Sequence, residues 1–119
     1  MGRFGNDLLE RIERAVDRTI QMALVLPGNP AGWEIGRQVI RSAGGVGANM
    51  EEAQASLTRR DFTHKVSLSL REGRETLYWM RRIERNRLLP AKRLVNLKKE
   101  WDELVSIMTA ILRKLRARE

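Results

Sequence analysis

The last third of the chain carries an apolar seam that admits one kind of local structure. Leu94, Leu97, Trp101, Leu104, Met108, Ile111 and Leu115 follow one another at alternating spacings of 3 and 4. On an α-helix that spacing brings every member to one side, whereas a strand would scatter them over both faces. Pro90 suits the start of this helix, and Arg113, Lys114, Arg116 and Arg118 suit the negative pole at its end. The seam needs partners, because a helix with one apolar stripe is stable only when that stripe is covered.

The rest of the sequence supplies three. A first helix is expected over 6–26, capped by Asn6, with Asp7 and Glu10 in its opening turn. Its inner positions are Leu8, Ile12, Ala15, Thr19 or Ile20, and Ala23. Pro27-Gly28-Asn29-Pro30 ends it and starts the second helix, over 30–56. That helix turns Gly36, Val39 or Ile40, Ala43, Val46 or Gly47, Met50, Ala53 and Leu57 inward. Thr58, with Asp61 three residues on, caps a third helix over 58–86. Phe62, Val66, Ser69, Gly73, Thr76 or Leu77, and Met80 form its inner face. The fourth runs over 90–117. Nothing in the chain alternates with a strand's period of two. The expectation is all-α: one domain over 1–119, folded as an antiparallel up-down-up-down four-helix bundle.

The middle of the second helix is unusual. Gly44, Gly45 and Gly47 each cost about 1 kcal/mol against alanine in a helix interior. Either the helix bends there, or another part of the chain packs unusually close, or the stretch is a loop. The apolar phase continues unbroken through Met50, which favours one bent helix. Asn49 is then expected to satisfy a backbone carbonyl freed at the bend, since an amide can donate where a carboxylate cannot. Glu52 is expected to pair with Lys65 or an arginine of the third helix.

Several functions are disfavoured by what the chain lacks. It has no cysteine and one histidine, His64, which rules out thiolate chemistry and histidine-rich metal sites. Glu51-Glu52 and Glu72/Glu75 are the acidic pairs that invite an enzyme reading. Wound at 100° per residue, Glu72 falls about 80° and Glu75 about 140° from Phe62, off the inner face. Ion pairing with nearby Arg or Lys is their expected role. No catalytic residue, metal, cofactor or small-molecule substrate is expected. The longest apolar run, Met22–Leu26, falls far short of the roughly 20 residues a membrane span needs. The N-terminus has neither a signal peptide's apolar core nor a myristoylation pattern, so the expected location is cytoplasmic and no membrane partner is expected.

Charge points elsewhere. The net charge is +8, and it is one-sided: residues 1–57 hold 6 Lys/Arg against 7 Asp/Glu, residues 58–119 hold 17 against 8. A basic excess of this size suits a polyanion, because each neutralised phosphate releases counterions. On the third helix Arg60, Arg71, Arg74, Tyr78, Arg81 and Arg85 gather about 100–180° from Phe62. They are the candidate RNA-binding stripe. The alternative is a protein-interaction or structural module whose charge serves solubility alone. A second line, Lys65, Glu72 and Trp79, recurs every seven residues beside the inner stripe and is the candidate contact between subunits.

The stretch Arg41-Ser42-Ala43-Gly44-Gly45-Val46-Gly47-Ala48-Asn49-Met50-Glu51-Glu52-Ala53, followed by Ser56, Asp61-Phe62, Lys65, Glu72 and Glu75-Thr76-Leu77-Tyr78-Trp79, resembles a known family. It is similar to the bacterial four-helix bundle proteins encoded within intervening sequences of 23S ribosomal RNA genes. Gly47, Asn49, Glu52 and Glu75 are the matching motif positions, to which the resemblance gives structural roles. Gly44-Gly45 departs from the pattern, where members more often carry Thr or Ser. The resemblance implies an antiparallel bundle and a closed homo-oligomeric ring, most often a pentamer. A more distant likeness is to the basic bundle that serves diversity-generating retroelements as an accessory protein, binding a reverse transcriptase and nucleic acid. The implied partners are therefore further copies of the chain, and RNA or an RNA-associated protein.

Overall fold

The structure, a computed structural model, describes residues 5–118. It contains α1 (Asn6–Leu24), α2 (Pro30–Gln54), α3 (Arg59–Arg85) and α4 (Ala91–Arg116). Connections over 25–29, 55–58 and 86–90 are too short to do anything but reverse the chain, so successive helices lie antiparallel. Each packs on its two neighbours in the order α1–α2–α3–α4–α1, giving an up-down-up-down bundle 46 Å long and 22 by 20 Å across.

Local chemistry explains most of the ends. The Asn29 side chain accepts from the Gly32 amide at 2.9 Å, and Pro30 occupies the first turn of α2. Gly32 is obligatory there, since a Cβ would lie 1.9 Å from the Pro27 carbonyl oxygen. Thr58 Oγ1 accepts from the Asp61 amide at 3.0 Å, as its spacing predicts. Asn6, however, does not cap α1: Gly5 occupies the cap position without a side-chain bond, and Asn6 is already helical. At the end of α3, Arg87 takes a left-handed conformation (φ 54°) while the Leu88 amide donates to Ile83 O at 3.0 Å. That closure usually uses glycine.

Apolar burial follows the helical period. Ile12, Ala15 and Met22 of α1 meet Val39, Ala43, Val46, Met50 and Ala53 of α2. Phe62, Val66, Met80 and Ile83 of α3 and the α4 seam complete the core. Two expected inner positions move. Because α2 stops at Gln54, Leu57 lies in the connection and is 91% exposed. On α4 Leu112 is buried and Ile111 only half-buried, because a seven-residue repeat drifts about 20° per heptad around a straight helix. In α1 the same face is completed by Thr19 and Met22, with Leu8 and Ala23 half-buried beside them.

Two edges of the bundle have distinct chemistry. Between α1 and α4, fully buried Trp101 donates from Nε1 to Thr19 Oγ1 at 2.9 Å, and Thr19 donates to Ala15 O at 2.7 Å. Arg11 grips Glu100 with Nε at 3.0 Å and Nη2 at 2.7 Å. This two-pronged hydrogen bond, reinforced by the guanidinium charge, holds the Glu100 carboxyl below the usual carboxylate range. Between α2 and α3 the contact is made by small residues. Ser69 Oγ donates to Val46 O at 3.0 Å, and the Thr76 and Ser42 hydroxyls lie 2.9 Å apart. Of the glycines in the middle of α2, Gly45 belongs to this close approach, beneath the Glu72 side chain. α2 runs through the glycine-rich stretch as one continuous helix with no glycine at positive φ, so the loop alternative is not taken.

Candidate nucleic-acid interface

α3 presents two chemically different flanks, and the difference arises from who neutralises its carboxylates. Towards α2, Arg41 pairs with both Glu72, at 3.3 Å, and Glu75. Glu75 also accepts from Trp79 Nε1 at 2.9 Å. One turn beyond α2's glycines, Glu52 meets Lys65 at 2.5 Å, the pairing its position predicts. Asn49 Nδ2 donates to Gly45 O at 2.8 Å, so the amide serves a backbone carbonyl as expected. Gly47 faces α1, where a Cβ would rest 3.5 Å from Val16. Glu52 and Glu75 thus tie α2 to α3 and Gly47 leaves room for α1, while Asn49 acts within α2. Lys65, Glu72 and Trp79 do lie along one line, but each already has a polar partner within the chain.

The other flank has no such partners. Arg60, Arg71, Arg74, Arg81 and Arg85 are exposed on α3, and among the described residues none of them forms an ion pair. Of the carboxylates at helical spacing from them, Glu75, one turn from Arg71, is held by Arg41, and Glu84, three residues from Arg81, is held by Lys98. Tyr78 stands among them, 43% exposed. It is held edge-on to Trp79 with ring centroids 4.9 Å apart, and the Arg82 guanidinium lies 5.1 Å from its own ring centre. One ring with one face already engaged is a poor platform for stacked bases. A row of unpaired guanidinium groups is a good one for phosphates.

Arg41 is the residue sequence spacing does not reveal. Arg41 stands 31 and 34 residues from its partners, so no helical repeat connects them. His64 is exposed, and Trp33 is 63% exposed. Among the described residues no group of three or more His, Cys, Asp or Glu is placed to hold a metal ion, and no helix is long and apolar enough to cross a membrane.

Comparisons agree with this architecture. Residues 7–110 match the family model described as 23S rRNA-intervening sequence protein. A crystal structure of a protein of unknown function from the S23 ribosomal protein family of Bacteroides thetaiotaomicron superposes with a TM-score of 0.82 at 22% identity. The superposition covers 88% of this chain and 97% of that one. At that identity the likeness concerns the fold. No curated protein matches the sequence.

Proposed function

The chain belongs to the 23S rRNA-intervening sequence protein family, and from that premise we propose that it is a non-enzymatic, oligomeric bundle that binds RNA through the arginine flank of α3. The observation that carries this reading is the partition of charge on α3. Glu72 and Glu75 are spent on Arg41 and Glu84 on Lys98, while among the described residues Arg71, Arg74, Arg81 and Arg85 stand exposed without an ion pair. One subunit offers a handful of phosphate contacts, and repetition around an assembly multiplies them through effective concentration. Binding should be salt-sensitive and nearly blind to sequence, since little on the flank reads base edges.

Filter binding of a single-stranded RNA at rising salt tests this. The unmutated protein should retain RNA at low salt and release it steeply, and Arg71→Glu with Arg85→Glu should abolish retention without loss of helical circular dichroism. Retention by the doubly reversed protein at moderate salt defeats the reading.

A second observation supports self-association and, taken alone, favours a structural module. The outward face of α2 carries Trp33, Arg37, Ile40, Gly44 and Ala48 in one stripe. Ile40 is 37% exposed, and nothing lies within 4 Å of a Cβ placed on Gly44. A second copy seated there would cover Trp33 and Ile40 and give the glycine a purpose the subunit alone does not. Light scattering should return a mass several times 13.8 kDa. Gly44→Leu and Trp33→Ala should each lower it. An oligomer that binds no RNA is the module reading; a monomer removes both.

A further inference from the structure

We propose that the groove between the middle of α3 and the C-terminal half of α4 is a seat for a phosphate of the bound RNA strand, an inference that rests on the RNA-binding reading and gives it a defined anchor. The groove is lined by Leu70 and Arg74 from α3 and by Thr109, Leu112, Arg113 and Arg116 from α4. Positions 109, 112, 113 and 116 share one side of α4, so both of its arginines face the same opening as Arg74. No carboxylate lines it, and among the described residues none of the three guanidinium groups forms an ion pair.

The floor strengthens the site. Leu70 and Leu112 are buried, so an anion above them meets apolar surface and is less well screened than on an open helix. Thr109 supplies no proton, because its hydroxyl donates to Val105 O at 2.7 Å. The donors are the three guanidinium forks alone. A carboxylate accepts only within one plane, whereas a phosphate's tetrahedral oxygens accept from several directions at once, which suits forks arriving from two helices. The C-terminal pole of α4 opposes an anion, but the Leu115 carbonyl there is already occupied by Arg59 Nη2 at 2.9 Å.

The opposite end of the same interhelical groove is unlike it. Glu84 and Asp102 stand there among Lys92, Lys98 and Lys99, and Lys98 is bound to Glu84 at 2.8 Å. Positive potential is therefore concentrated at the arginine end. Arg74 belongs both to this groove and to the exposed flank, so a strand lying along Arg71 and Arg81 can place one phosphate in the seat.

Two measurements on the full chain test the seat. In spectra of arginine side-chain Nε–H groups, inorganic pyrophosphate should shift Arg74, Arg113 and Arg116 together. In filter binding, Arg113→Ala with Arg116→Ala should weaken RNA retention about tenfold and lower the salt slope by roughly 0.7, the value for one phosphate no longer neutralised on a single strand. Arg14→Ala with Arg18→Ala removes equal charge from α1 and should do far less. If the groove variant matches the α1 control while Arg71→Glu with Arg85→Glu still abolishes binding, the seat is overturned and the RNA reading stands. If pyrophosphate shifts the three arginines but the unmutated protein retains no RNA, the groove takes free phosphate and the RNA assignment falls. If neither occurs, both fall.

Discussion

The Glu72 carboxylate lies directly over Gly45, so close that a Cβ on the glycine would stand 2.2 Å from Oε2. The glycine makes room for the acid, and the acid reaches Arg41 across that room. Gly45→Ala gains about 1 kcal/mol of helix propensity but pushes Glu72 off its partner, so it should leave the melting temperature unchanged or lower. Gly44→Ala meets open space and should raise it, by roughly 3–6 °C per kcal/mol in a domain of this size. Thermal melts of dilute protein compare the two, and a stabilised Gly45→Ala would refute the account.

Asn49→Ala removes the donor to Gly45 O. The expected loss is about 1 kcal/mol, a drop of several degrees in melting temperature. An unchanged melt would return Asn49 to the list of surface residues available for binding.

Arg87→Gly should stabilise the fold. A non-glycine residue in the left-handed region costs on the order of 1 kcal/mol, and glycine meets that conformation freely. Denaturant titration should move to a higher midpoint with the slope unchanged. A lower midpoint would mean that the Arg87 side chain makes a contact outweighing its backbone cost.

Glu100 gives a pH signature. Arg11's hydrogen bonds depress its folded-state pKa, so the folded protein holds that proton less tightly than the unfolded chain. The stabilisation is fully present above the unfolded value of about 4.3 and is lost as pH falls through the lower folded value. Glu100→Gln should therefore cost about 1 kcal/mol at pH 7 and progressively less below about pH 4. Urea midpoints measured across that range check it, and a difference independent of pH would contradict the assignment.

The four helices are legible in the sequence because their apolar spacing is long and regular, and Thr58 and Asn29 announce two of the starts. Ends were less so. Leu57 keeps the phase of α2, but Ala55 already closes the helix and no spacing rule carries that information. Ile111 fits a strict heptad, whereas a straight helix prefers Leu112. The glycine stretch signalled a bend, a close approach or a loop without showing that Glu72 lies over Gly45. Pairing of Glu52 with Lys65 was readable because α2 and α3 are consecutive and antiparallel. The joint hold of Arg41 on Glu72 and Glu75, and the meeting of Arg74 with Arg113 and Arg116, depend on how deep each helix sits against its neighbour. That depth is set by the whole core.

The separation of α3 into a neutralised flank and a bare one has a consequence for how such chains can diverge. Changes at Arg41, Glu72, Glu75 or Lys65 are felt by folding, because each disturbs a pairing between helices. Changes at Arg71, Arg81 or Arg85 touch no internal partner and are felt only by whatever lies outside. A lineage can therefore rewrite the bare flank residue by residue, exchanging one polyanion for another or discarding polyanions altogether, while the scaffold that displays it is inherited intact.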